Sequence, residues 1–214
     1  LNPSDMFKSS FGTSMSIMGS MTSVYSQMMD DKETLEESYE ILEGRWPEKY
    51  NEMIIVVTQP NSISDLLVYY LGLRDIDELN NLVTKIMSGE TVEINNEPLK
   101  MTYKDWMNKK LKLVMQTDTY RYNEQYDIYE DMLENDDFLN NLYENGIDLK
   151  IVGVVTAKEG VTSAALNPGV AYTADLIDYI INYSKDKEIV KKQFANEDVD
   201  VLSGNRFDEK KSGL

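Results

Sequence analysis

LEGRWPEKYNEMIIVV, Leu42 to Val57, is the stretch on which the fold turns. Glu43 to Pro47 reads as a turn. Gly44 can take backbone angles that other residues avoid. Pro47 fixes its own φ and pushes Trp46 towards an extended conformation. After a polar link from Glu48 to Glu52 comes a bare apolar run, Met53 to Val57. A bilayer needs about 20 such residues, so the run does not cross one. Its β-branched content predicts a strand buried on both faces. The turn, anchored by the indole of Trp46, therefore delivers the chain into the centre of a sheet.

The 214 residues suffice for one sizeable domain or two small lobes. At 42 % hydrophobic content a core can form and wholesale disorder is not expected. The net charge of −17, from 21 basic and 38 acidic residues, leaves no basic patch for phosphates, so no nucleic-acid partner is expected. There is no Cys and no His. That excludes zinc sites built from them and nucleophile systems that need a His base. No leader or membrane-spanning segment is visible.

Residues 1–38 form a Met- and Ser-rich N-terminal segment. Met15, Met18, Tyr25 and Met28 fall near helical spacing, so a helix is expected there. Its Met side chains suit packing, with a sticky contact surface as the alternative and thioether metal binding behind both. Asp31 to Leu42 reads as a short acidic helix. Ser62 with Asp65 opens a helix whose stripe is Ile63, Leu66, Leu67, Tyr70 and Leu71, and Gly72 stops it. Asp75 caps the next, striped by Ile76, Leu79, Leu82, Val83, Ile86 and Met87. Thr91 to Met101 reads as a hairpin around Asn95-Asn96, and Leu111 to Met115 as a strand. Tyr129, Met132 and Leu133 are expected on one helical face. Asn135 or Asp136 caps a short helix that Gly146 ends. Leu149 to Val155 is a second central strand, where Gly153 marks a bulge or a close crossing. Val170 to Tyr172 is a short strand, and helices follow over Thr173 to Tyr183 and Asp186 to Ala195. Strands and helices mix without regular βαβ alternation. The fold class is α+β, with a mixed sheet or sheets, packed helices and room for two lobes.

Acid–base or Ca²⁺ chemistry could draw on the cluster Asp127, Glu130, Asp131, Glu134, Asp136 and Asp137. The blander reading is a solvated helix face. Glu197, Asp198 and Asp200 before Ser203-Gly204 lack EF-hand spacing. No phosphate-binding loop occurs, so no ATP hydrolysis is expected of this chain. The 14 Tyr and two Trp could stack on sugars, although half-buried packing accounts for them too.

One resemblance adds to this. The pattern L-x-G-R-W-P-E-x-Y-N-E at Leu42 to Glu52 is followed by I-S-D-x-x-x-Y-x-L-G-L at Ile63 to Leu73. Together they resemble the extracellular domain of FtsX-like ABC transporter permeases from Gram-positive bacteria, related to the MacB-like periplasmic core domain. IDLKIVGVV at Ile147 to Val155, LNPGVAY at Leu166 to Tyr172 and VDVLSGNRF at Val199 to Phe207 extend the likeness. The resemblance implies a domain over residues 39–207, a frayed end over 208–214, and a sequence cut from between membrane helices. It implies a non-enzymatic, cofactor-free domain on the outer side of the cell membrane. Its partners would be the permease's own membrane helices, a separate cytoplasmic ABC ATPase and an outside substrate or partner protein. Gly44, Arg45, Trp46, Pro47, Tyr50, Asn51, Glu52, Ser64, Asp65, Gly72 and Gly153 would then be architectural. Arg45 would pair with an acidic neighbour or bind backbone carbonyls. Two rivals are a secreted glycan- or solute-binding module and an acidic hydrolase using two carboxylates.

Overall fold

The computed structural model describes residues 24–58, 65–75, 102–161 and 165–208, with positions 77, 78, 81, 84, 85 and 88. The chain divides into two compact units, Leu1–Leu111 with Leu149–Ala174 and Lys112–Asp148 with Asp175–Leu214.

The first unit is organised on a mixed sheet. Its strands are β1 (Tyr25–Gln27), β2 (Tyr39–Gly44), β3 (Glu52–Val57), β7 (Ile147–Ala157) and β8 (Gly169–Tyr172), in the order β1-β8-β3-β7-β2. A short strand β4 (Leu111–Leu113), of which only Leu111 belongs to this unit, also pairs with β7, whose first two residues, Ile147 and Asp148, belong to the second unit. β3 runs parallel to β7 and antiparallel to β8, while β2 runs antiparallel to β7. Every residue of β3 is buried. Strand alternation explains why the run is apolar throughout. Met53, Ile55 and Val57 join a core with Leu67, Leu71 and Trp106. These come from helix α2 (Asp65–Tyr70), the residue after it, and α3 (Tyr103–Met107). Ile54 and Val56 enter a second core with Leu35, Tyr39, Trp46 and Leu166. Leu35 lies on helix α1 (Lys32–Ser38), whose N-cap Asp31 accepts from the backbone of Glu33 and Thr34.

Local chemistry sets the ends of these helices. At the end of α2 the Leu73 amide donates to Val68 O and the Gly72 amide to Tyr69 O. Gly72 sits at φ +64°, the left-handed residue that this closing motif requires. A capping box between Thr102 and Asp105 starts α3.

The second unit contains a 3-10 turn (Gln116–Thr119), a hairpin of β5 (Tyr120–Asn123) and β6 (Ile128–Asp131), and helices α4 (Asp136–Asn145), α5 (Ala174–Lys185, whose first residue belongs to the first unit) and α6 (Glu188–Ala195). Asn135 caps α4 through Phe138 N, and Gly146 follows its last residue.

The α+β class with a mixed sheet is what the structure has, with six helices among the described residues. Three segments differ from the sequence reading. Tyr25–Gln27 is a strand, not part of a helix, because β8 offers it a parallel partner. Tyr39 to Leu42 leaves α1 to pair with β7, burying the Tyr39 ring. Tyr129 lies on a hairpin, not a helix. There the Asn123 side chain accepts from the Gln125 and Tyr126 amides, and Asp127 turns the chain at φ +56°. The Met residues before position 24, Ser62 to Ser64, the apolar stripe of the helix after Asp75 and the hairpin over Thr91 to Met101 lie outside the described residues.

Candidate functional site

The Gly44 to Glu52 turn joins two strands of the sheet, β2 and β3. Gly44 ends β2 at φ +79° and pairs with Gly153 of β7. A Cβ on either glycine would drive into backbone, that of Val152 or of Arg45 respectively. The two glycines thus let the turn lie directly on β7, and the Arg45 amide donates to Val152 O at 2.9 Å. Gly153 also sits beside an irregularity: β3 partners step from Ile151 to Gly153, leaving Val152 as the extra residue. Both a bulge and a close crossing are therefore present.

Arg45 then reaches back across the turn. Its guanidinium donates to both carboxylate oxygens of Glu52, at 2.8 and 2.7 Å, and to Trp46 O at 2.9 Å. It binds an acidic neighbour and a carbonyl together. Glu52 is only 4 % exposed, whereas the Arg45 side chain is 44 % exposed. The Glu48 amide also donates to Glu52, at 2.8 Å. The Arg45 hydrogen bonds, opposed by burial and aided by the Glu48 amide, pull the Glu52 carboxyl down to about 2. The same partner raises the Arg45 guanidinium further. Trp46 is buried in the second core, the Tyr50 carbonyl accepts from Thr173, and the Asn51 carbonyl from Lys150. The turn uses its own polar groups to close itself. Of the remaining residues singled out by sequence, Asp65 opens α2, Gly72 closes it, Pro47 is half-buried, and Ser64 lies outside the described residues.

The acidic cluster over 127–137 is scattered by the hairpin rather than lined along one helix. Asp127 sits at the tip, Glu130 accepts from Asn123, and Asp131 accepts from the Leu133 amide. Asp200 accepts from Leu202 and Ser203, which lowers its pKa, with the Ser203 hydroxyl the larger cause. Among the described residues no group of three or more acidic side chains is placed to hold a metal ion. No helix among them is long and apolar enough to cross a membrane.

Two clusters in the second unit escaped the sequence reading. Each joins a Tyr, an Asp and a Lys. The Asp118 carboxylate accepts from Tyr183 and, at 2.7 Å, pairs with Lys187, whose ammonium stands 4.0 Å from the Tyr183 ring centroid. The Asp127 carboxylate accepts from Tyr122 and Lys192, whose ammonium lies 4.4 Å from the Tyr122 ring centroid. Lys192 and then Tyr122 lower the Asp127 pKa. Burial opposes the Lys187 charge, but Asp118 and Tyr183 outweigh it and raise the Lys187 pKa. Partners 65 residues apart have no spacing signature. The local signals were Tyr122 and Asp127 flanking a polar turn and Tyr183 four residues before Lys187.

No protein-family model, curated protein or solved structure matches the chain.

Proposed function

We propose that this chain is the extracellular, MacB-like core domain of an FtsX-like ABC transporter permease. It is non-catalytic and couples ATP hydrolysis by a cytoplasmic partner to a substrate or protein outside the cell. The observation that supports this reading best is the closed Gly44 to Glu52 turn. Within the block that carries the resemblance, Arg45 is held by Glu52 and by the Trp46 carbonyl. A turn of this kind suits a rigid element that transmits movement into a sheet. It does not suit a reactive centre, which keeps a nucleophile or base free to meet substrate.

The test is the native polypeptide itself. An antibody to this chain is used on fractionated source cells, with protease added from outside. The expected outcome is a membrane-bound band much larger than 24.6 kDa, cleaved by external protease, and co-purifying with an ATPase. A free band near that mass overturns the reading and directs attention to ligand screening of a secreted binding module.

A further inference from the structure

We propose that α6 is an ionic latch, held on the second unit by its two Tyr–Asp–Lys clamps and able to open as one piece while the rest of that unit stays folded. The inference does not depend on the permease reading.

Burial holds α6 only weakly, since none of its residues is fully buried. Phe194 is 74 % exposed. What fixes the helix is polar, and it acts at both ends. Lys187, the residue before the first turn, meets Asp118 and Tyr183. Lys192, in the last turn, meets Asp127 and Tyr122 and lies 5.9 Å from the Tyr129 ring centroid. Glu188 is the acidic group of the helix that bears on Tyr129. Next to Lys192, the Gln193 amide bridges to Val199 O and accepts from Val201 N.

The segment behind α6 is anchored differently. Val201 is buried and its carbonyl accepts from the Tyr129 amide of β6. That anchor does not pass through either clamp. A helix with weak burial, held by two charge-based clamps and by the Gln193 bonds to Val199 and Val201, is the element expected to open first, because stability is not uniform across a structure. Asp127 is well exposed and Lys187, Asp118 and Lys192 are partly exposed, so rising salt weakens both clamps, though less than it weakens a pair lying wholly in solvent.

Amide exchange by NMR on the 214-residue chain tests this. The variant is Asp118→Asn with Asp127→Asn. Asn tolerates the left-handed backbone of position 127, so the change removes charge without straining the turn. The amides of Lys191 to Asn196 should exchange about 10-fold faster or more. Those of β5, β6 and α5, and the Tyr129 amide in particular, should keep their protection. Raising salt from about 0.05 to about 1 M should move the unsubstituted chain in the same direction. Unchanged α6 amides in the variant overturn the latch. So does loss of protection spread evenly over the hairpin and α5, since α6 would then have no opening of its own.

Discussion

The two units are held by different forces. The first closes two apolar cores on opposite faces of one strand, β3, and the ion pair at its entry is bidentate with a buried carboxylate. In the second, the buried hydrophobic residues among those described are Met115, Met132, Leu176 and Val201, and two charged clamps fix its last helix. Burial is non-directional, unscreened by salt and sensitive to volume. Charge pairs near the surface are directional, screened and insensitive to volume. The first unit should therefore yield to cavities and the second to neutralisation.

The largest effect should come from Ile55→Ala. Ile55 is fully buried in the centre of β3. Its loss should cost about 4 kcal/mol, the range for truncating a buried aliphatic side chain in a rigid core. Denaturant titration followed by Trp fluorescence reads it, as both Trp46 and Trp106 belong to this unit. A cost below about 1.5 kcal/mol would mean that the sheet centre relaxes far more than its packing implies.

The Arg45–Glu52 pair comes next, and its two halves should not be equivalent. Arg45→Leu leaves a buried carboxylate with only backbone donors, at a cost of about 3 kcal/mol. Glu52→Gln leaves a half-exposed guanidinium that water can reach, at a cost of about 1 kcal/mol. Equal losses would show that the pair is as well hydrated as a surface bridge. The pH dependence follows from the same contact. The folded Glu52 carboxyl titrates near 2 against an ordinary value of 4.5. Its contribution is complete above about 4.5 and is lost as pH falls towards 2. Acid titration of Glu52→Gln should therefore be flatter than that of the unsubstituted chain in this window.

How legible these features were in the sequence depends on how far each signal reaches along the chain. Met53 to Val57 announced a doubly buried strand because composition alone carries that message. Gly153 could be read as a bulge or crossing because glycine inside a strand often marks one. Asn135 and Gly146 marked the ends of α4 for equally local reasons. Tyr129 was misread because its helical spacing with Met132 and Leu133 outweighed the turn chemistry of Asn123 and Asp127. Tyr25 was misread because the strand that holds it, β8, lies far away in sequence. The clamps stayed invisible for the same reason. Arg45 could be expected to find a partner, but its choice of Glu52 needed the fold of the turn.

A smaller effect belongs to helix capping in the second unit. Asn135 accepts from the Phe138 amide at 2.9 Å. Asn135→Ala should cost about 1 kcal/mol, visible as faster amide exchange in the first turn of α4. Asn135→Asp should restore it, since a carboxylate caps as well and favours the positive end of the helix.

The smallest expected effect lies within α6 itself. Lys191 and Lys192 are neighbours on α6, each ion-paired, and each loses one charge on substitution by Gln. Lys191 pairs with Glu188 at 3.0 Å across one turn, and both side chains are more than half exposed. Lys191→Gln should change stability by less than about 0.5 kcal/mol, because solvent and side-chain entropy offset such a pair. Lys192 is less exposed, lies over Tyr122 and bonds to the Asp127 carboxylate and carbonyl. Lys192→Gln should loosen the α6 amides several-fold more than Lys191→Gln does. Equal responses would mean that the net charge of α6 sets its attachment. Unequal responses in this order would assign the attachment to the geometry of one ammonium between a carboxylate and a ring.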